Sequence, residues 1–147
     1  MRAVLKSWHD PPIEDLADFA QRKELRWTVV TPSGRGWDDF ECVDSAGETI
    51  LEGDLTLRGS DGRLQEELDD LNDDLERHRG SPEALAVVRA HIATAKAIAG
   101  MRILMSRYDD SVDSANGIIR YLEQEPGALV QVDTVGWYQG DELLLRQ

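Results

Sequence analysis

The chain has 147 residues, a size typical of one globular domain. Hydrophobic residues make up 41% and charged residues 31%, which excludes a disordered chain poor in apolar residues. The net charge of −13 argues against a protein that binds nucleic acid or an anionic membrane, because both partners require a surplus of Lys and Arg. It favours a basic protein as the partner.

The expected location is the cytoplasm. Cys42 is the only cysteine, which excludes an internal disulfide and is typical of a reducing compartment. The N-terminal segment has no apolar run of the length that a signal peptide needs. The most apolar stretch, residues 84–105, is interrupted by charged side chains such as Arg89 and Lys96. It therefore indicates a buried helix and not a membrane span.

The first sixty residues predict four strands with one helical interruption. The strands are indicated by alternating apolar residues and by bounding turn residues, and the helix by its spacing after Asp10 and two prolines. Gly53 indicates a bulge or bend in the fourth strand. The strands are predicted at residues 2–8, 24–31, 37–44 and 48–59, and the helix at 10–20.

The middle of the chain changes to helical periodicity. Leucines recur at steps of four, three and four through residues 64–75, and Gly80 is predicted to end this helix. Ser81 and Pro82 then predict the N-cap and the first turn of a second helix. One face of that second helix is predicted to carry Leu85, Val88, Ile92, Ala95 and Ala99.

The last third of the chain predicts a third long helix among strands, in spite of Gly117, and a closing hairpin that turns at Gly140 and Asp141. The predicted elements are a strand or helix extension at 101–108, a helix at 111–125, a strand at 127–135 and the hairpin over 136–146. The pattern predicts a single α+β domain over residues 1–147. Its mainly antiparallel sheet is expected to be covered by about three helices.

The helix at 64–78 is unusually acidic. Residues 61–80 hold eight acidic and three basic residues. Carboxylates four apart, such as Asp69 and Asp73, repel one another at about 0.2–0.5 kcal/mol per pair. One interpretation is a solvated face, and the other is a docking surface for a basic protein. The docking surface would comprise Glu66, Asp69, Asp70, Asp73 and Asp74, with Trp137 or Tyr138 as an aromatic anchor at its rim.

No pattern in the sequence predicts a cofactor, a metal or an enzyme. The acidic helix lacks the D-x-D/N-x-D/N-G loop of a calcium site, and the histidines lack the spacing of a zinc site. His91 is expected to be packed and hydrogen-bonded in the core. Cys42 has no surrounding motif of a catalytic nucleophile. Trp37 and Tyr138 are the two aromatic residues expected to be exposed.

The start of the chain, "MRAVLKSWHDPPIEDL", resembles the type-eight immunity proteins of bacterial polymorphic toxin systems, which open with M-K/R-A-x-L-K/R-S-x-H-x-P-x-I-x-D-L. "WTVVTP" resembles a later strand of that family that ends in V-C-T-P, with Val30 in place of the usual cysteine. Here "AQRKEL" replaces a longer segment rich in glycine and glutamate. The matching N-terminal positions are Met1, Arg2, Ala3, Leu5, Lys6, Ser7, His9, Pro11, Ile13, Asp15 and Leu16.

The resemblance implies a small cytoplasmic protein without catalytic activity that binds and neutralises a cognate secreted toxin domain, and it assigns no binding residue. The leading hypothesis combines this with the acidic helix, which would occlude a basic cleft of the toxin. The second hypothesis is a self-associating structural or regulatory protein, such as a homodimer, with the leucine stripe between subunits. The third is a small hydrolase that uses Cys42, His9 and nearby acidic residues.

Overall fold

The computed structural model describes residues 1–59 and 61–147. Within them the chain forms an antiparallel sheet of eight strands and four α-helices, which confirms the α+β class. The strands are β1 (Arg2–Leu5), β2 (Thr28–Val30), β3 (Phe40–Val43), β4 (Thr49–Leu57), β5 (Ala97–Ile103), β6 (Leu129–Val132), β7 (Gly136–Gln139) and β8 (Glu142–Arg146). The helices are α1 (Ile13–Arg22), α2 (Arg63–Asp74), α3 (Pro82–Thr94) and α4 (Tyr108–Leu122), and short 3₁₀ turns lie at Gly36–Asp38, Leu75–Arg77 and Met105–Arg107.

The domain divides into two compact units. The first comprises residues 1–8, 56–99 and 125–147, and the second comprises residues 9–55 and 100–124. Strands β4 and β5 each cross a boundary between the units, so each strand contributes one part to each of them.

In the first unit the strands follow the order β4, β5, β1, β6, β7, β8. β1 pairs with β6, β6 with β7, and β7 with β8, all antiparallel. Val4 lies opposite Leu129, and Trp137 lies opposite Gln131. Gly140, with a φ of +56°, lies in the turn between β7 and β8, which confirms the predicted closing hairpin.

Helices α2 and α3 complete the core of the first unit. The four leucines of the predicted stripe are 1–4% exposed and pack with side chains of β1, β5, β6, β7 and β8. The stripe is therefore covered by its own sheet, and the prediction that it packs between subunits is wrong. The buried members of this core are Val4, Leu64, Leu68, Leu71, Leu75, Val88, Ile92, Ala95, Ile98, Leu129, Trp137 and Leu145.

Helix α3 begins as predicted and ends earlier. Ser81 Oγ accepts a hydrogen bond from the backbone N–H of Ala84 at 3.0 Å, which confirms the predicted N-cap. The predicted continuation to Ala99 is wrong, because α3 ends at Thr94 and β5 begins at Ala97. The small apolar residues that suit a close-packed helix also suit a strand that is buried between two neighbouring strands.

In the second unit the strands follow the order β2, β3, β4, β5, and α1 and α4 pack against each other. The ring of Trp37 lies 5.9 Å from that of Tyr121 and 5.5 Å from that of Phe40, measured between centroids. Its indole N–H donates to the carbonyl oxygen of Pro11 at 2.7 Å. Trp37 is consequently only 5% exposed, and the prediction of its exposure is wrong.

Gly53 does not mark a bulge as predicted. The register between β3 and β4 shifts at Cys42 and Val43, where Ile50 is the additional residue. Gly53 lies opposite Phe40, and a Cβ atom at position 53 would overlap the Phe40 ring. The close approach of the aromatic ring, and not a bulge, requires glycine there.

Candidate functional site

Helix α2 separates its acidic side chains from its leucines. At 3.6 residues per turn, Glu66, Asp69, Asp70 and Asp73 fall within about 100° of the helix circumference, and Asp74 widens this arc to about 140°. The leucine stripe lies on the opposite side of the helix and is buried. These five carboxylates, called the acidic face below, therefore share one side of the helix, as predicted.

Most of the negative charge on the acidic face is not neutralised within the chain. All of its members except Asp74 are exposed. Among the residues that the structure describes, none of these four exposed carboxylates has a Lys, Arg or His nitrogen within 4.0 Å. Asp69 accepts a hydrogen bond of 2.8 Å from Gln65, whose amide is uncharged. Four negative charges thus stand in solvent on one rigid element.

Asp74 differs from the other members of the acidic face. Its side chain is only 25% exposed and lies 3.5 Å from the guanidinium of Arg77. The Nδ1 atom of His78 lies 3.8 Å from the Asp74 carboxylate and 2.9 Å from the Asp74 carbonyl oxygen. Arg77 offsets part of the charge of Asp74, so this residue contributes least to the attraction of a basic partner.

The two aromatic residues proposed for the rim differ in exposure. Trp137 is fully buried within the core of the first unit, so its assignment as a surface anchor is wrong. Its position in β7, opposite Gln131 of β6, directs the indole into the sheet's packed face. Tyr138, the next residue, is half-buried and retains accessible surface. Because side chains alternate along a strand, Tyr138 projects to the opposite face of the sheet from Trp137 and α2, so neither aromatic residue lies at the rim of the acidic face.

The acidic face continues into a cleft of about 300 Å³ in the first unit. Asp70 and Asp74 contribute to it from α2, together with Glu67, which accepts a hydrogen bond of 2.7 Å from the hydroxyl of Thr56. This space, called the acidic cleft below, holds four carboxylates. Its lining residues are Arg2, Glu67, Asp70, Leu71, Asp74, Gln131, Asp133, Thr134 and Gln147.

The acidic cleft has a second wall, formed by residues of β1 and of the end of β6. The cationic groups near the cleft, the Met1 ammonium and the Arg2 guanidinium, are paired with Asp133 in this wall. Asp133 lies 3.0 Å from the Met1 ammonium and 3.2 Å from the Arg2 guanidinium, which also donates to Gln131 at 3.2 Å. Partial burial opposes the ionisation of Asp133, but its bond to the Met1 ammonium and the nearby charge of Arg2 hold its pKa below the ordinary value. Arg2 is thereby engaged with Asp133, and no described cation pairs with Glu67 or Asp70.

Comparison with known proteins gives no assignment. No protein family, no curated protein and no solved structure gives a significant match to this chain. The resemblance of the first sixteen residues to the immunity family therefore stays a prediction.

The thiol of Cys42 lacks the environment of a nucleophile. Cys42 is fully buried in β3, and burial raises the pKa of its thiol to about 12. The reactive thiolate is therefore scarce near neutral pH, and this environment does not favour Cys42 as the nucleophile of the hydrolase hypothesis. His9 is exposed, whereas His91 is buried and hydrogen-bonded as predicted.

Residues 1–59 and 61–147 contain no group of three or more His, Cys, Asp or Glu side chains arranged to hold a metal ion. Over the same residues, every helix is too short or too polar for a membrane-crossing segment.

Sequence reasoning missed the second wall of the acidic cleft. Arg2 and Asp133 come together because β1 pairs with β6, with Arg2 opposite Gln131. No local pattern signals this pairing across almost the whole chain. Glu67 belongs to the same acidic run as the predicted residues, and its spacing of three from Asp70 could have indicated it.

Proposed function

We propose that this protein binds a basic protein partner through the acidic face and neutralises it without catalysis. The resemblance at the N-terminus suggests that the partner is a toxin domain and that the encounter takes place in the cytoplasm. The observation that carries the proposal is the set of four exposed, unpaired carboxylates on one side of α2, opposite a fully buried leucine stripe.

The local chemistry of α2 supports a role for these charges beyond forming a helix. The helix starts after Gly62, which offers no side-chain cap, and its last turn contains Asp73 and Asp74 but no basic residue. Negative charge at that end opposes the helix dipole. Each repelling pair also costs about 0.2–0.5 kcal/mol. Burial of each leucine contributes about 1.5–3 kcal/mol, so packing and not local propensity holds the helix.

A rigid and unpaired acidic face suits rapid binding of a basic surface. Charges that stand free in solvent attract an oppositely charged protein over about a Debye length, roughly 8 Å at physiological ionic strength. Such steering raises association rates by about 10–10³-fold. Carboxylates that are paired with arginines of their own chain attract a basic partner only weakly. The proposal therefore depends on the four exposed carboxylates of the acidic face being unpaired.

The proposed mechanism of neutralisation is occlusion. The carboxylates of the acidic face and the acidic cleft would bind in the basic active-site cleft of the toxin. They would thereby exclude the negatively charged substrate of the toxin from that cleft. In the acidic cleft, the exposed carboxylate of Asp70 is placed to bind the charge of an inserted Lys or Arg.

The test is a rescue of growth. The C-terminal domain of any secreted protein encoded directly upstream of this chain would be expressed alone, with the wild-type chain, and with the double variant Asp70→Lys, Asp73→Lys. Growth should be lost with the domain alone and restored by the wild type, and the double variant should fail to restore it. The matched control is Asp15→Lys with Asp18→Lys, which makes the same change of charge on exposed positions of α1.

Rescue by the control and not by the α2 variant would support the acidic face. Equal rescue by both variants would show that the partner does not contact α2, and the proposal would fail. The proposal would also fail if the domain that the chain binds had an acidic binding surface. The folded state of each variant is checked by its unfolding midpoint, so that a loss of rescue is not a loss of fold.

A further inference from the structure

The second unit contains a cleft whose charge is opposite to that of the chain. This cleft has a volume of about 350 Å³ and is lined by Phe19, Lys23, Leu25, Arg120 and Gln124. Two of these side chains are cationic, one is a neutral amide, two are apolar and none is acidic. The chain has 29 acidic and 16 basic residues, so a lining with two cationic and no acidic side chains is more positively charged than its average surface. It is called the cationic cleft below.

The apolar wall of the cationic cleft is built by the C-terminus of α1. The N–H of Leu25 donates to the carbonyl of Ala20 at 2.9 Å, and the N–H of Glu24 donates to that of Gln21 at 3.0 Å. These two bonds, with a φ of +55° at Glu24, form a Schellman motif. The motif reverses the chain and places Leu25 beside the last turn of the helix, where Phe19 lies.

Glu24 occupies a backbone conformation that normally favours glycine. A non-glycine residue in the left-handed region costs about 1 kcal/mol. Leu25 and Trp27 pack closely against Gly117 of α4. A Cβ atom added at Gly117 would lie 2.9 Å from Leu25 Cδ1 and 2.7 Å from Trp27 Cζ2. The wall is consequently held against α4 with no room for a side chain between them.

Stacked aromatic rings make the floor of the cationic cleft rigid. The Phe19 ring lies edge-on to Tyr121, with centroids 5.6 Å apart, and Tyr121 stacks on Trp37 at 5.9 Å. The ammonium of Lys23 lies 5.9 Å from the centroid of Phe19. Phe19 is only 5% exposed, so it contributes a small apolar area to the cleft and Leu25 supplies most of the accessible apolar contact.

The cations of the cationic cleft are not neutralised. Within the described residues, neither Lys23 nor Arg120 has a carboxylate within 4.0 Å. By contrast, Arg107 in the neighbouring part of the same unit lies 2.9 Å from Asp44 and 2.8 Å from Asp110. The guanidinium of Arg120 is therefore free to bind a carboxylate through two parallel hydrogen bonds.

We propose that the cationic cleft binds a carboxylate attached to an apolar or aromatic body. Arg120 holds the carboxylate, Lys23 adds a second positive charge, and Phe19 and Leu25 contact the apolar body. The carboxylate belongs either to a free carboxylic acid or to the C-terminus of a peptide, because both present the same group. This site lies in the second unit and is independent of the acidic face, so each proposal can fail without the other.

The probes are 3-phenylpropionate, its uncharged amide, and the dipeptide acetyl-Ala-Phe with a free or an amidated C-terminus. Binding is followed by the tryptophan emission and by the side-chain NMR signals of Leu25. The acid or the free peptide should bind with a Kd of about 1 mM or below, and its uncharged partner should bind at least about tenfold more weakly. Preference for the free acid or for the peptide identifies the source of the carboxylate.

Arg120→Met and Lys23→Met, which keep the aliphatic stems, should each weaken carboxylate binding by about tenfold. Arg22→Met, an exposed neighbour outside the lining, is the matched control and should leave the affinity unchanged. Equal affinity for acid and amide would overturn the proposal. It would equally be overturned by the absence of binding at about 10 mM probe, or by the same loss in the control.

Discussion

The imidazole Nε2 of His91 lies 2.8 Å from the carbonyl oxygen of Val4, in the core between α3 and β1. Because a carbonyl only accepts, Nε2 carries a proton and donates it. Burial lowers the pKa of His91, the bond to Val4 opposes this effect, and the charge of Lys6 adds to the lowering. The folded chain therefore holds His91 neutral.

This relationship predicts that the protein loses stability in mild acid. Since the pKa of His91 is lower in the folded than in the unfolded chain, the unfolded chain binds the proton more tightly. The free energy of unfolding should thus be highest above the ordinary histidine pKa of about 6.5 and should fall as the pH drops below it. His91→Gln keeps a donor to Val4 and should reduce this dependence, as measured by urea unfolding between about pH 5 and 8.

The wild-type chain, measured over the same pH range, is the reference for His91→Gln. An unchanged slope in His91→Gln would show that His91 does not control the acid response.

Ser81→Ala should destabilise the protein by about 1 kcal/mol. The substitution removes the acceptor of the 3.0 Å hydrogen bond from Ala84 N–H at the start of α3. Ser81→Asp keeps an acceptor and should retain most of the stability. The midpoint of urea unfolding measures both variants, and identical midpoints for Ser81→Ala and the wild type would contradict the assignment of the cap.

The cap of α3 illustrates which features the sequence predicts well. Ser81, Pro82 and the leucine periodicity of α2 act through neighbours along the chain, and both helices begin within one residue of their predicted starts. The exposure of an aromatic residue depends instead on distant partners. Trp37 beside a turn is buried by Tyr121 and Phe40, which the local sequence does not reveal.

Trp137→Ala should destabilise the fold by about 3–5 kcal/mol, whereas Tyr138→Ala should cost far less. Trp137 is fully buried in the core of the first unit, and Tyr138 is only half-buried. Thermal unfolding compares the two variants. Similar losses of stability would contradict the burial described for β7.

Cys42 should be unreactive in the folded protein. Because burial raises its pKa to about 12, a thiol reagent at pH 8 should modify the native chain at least about 100-fold more slowly than the urea-unfolded chain. The control is the double variant Cys42→Ala, Ser45→Cys, which places one thiol on the exposed turn between β3 and β4. Rapid reaction of native Cys42 would restore the hydrolase hypothesis.

The acidic face was predictable because helix periodicity and charge are both local. The contact of Asp74 with Arg77, three residues further along the chain, is local as well, and its spacing could have indicated it. The second wall of the acidic cleft depends on the pairing of β1 with β6. The change from α3 to β5 was missed because alanines are compatible with both structures.

The most direct test of the central claim is the association rate of the toxin domain with the wild-type chain and with Asp70→Lys, Asp73→Lys, measured from about 0.05 to 0.5 M salt. For the wild type, the rate should fall at least about tenfold over this range. The double variant should associate slowly at every salt concentration, while Asp15→Lys with Asp18→Lys behaves like the wild type. Rates that do not change with salt, or an α2 variant that associates as fast as the wild type, would contradict the proposed role of the acidic face.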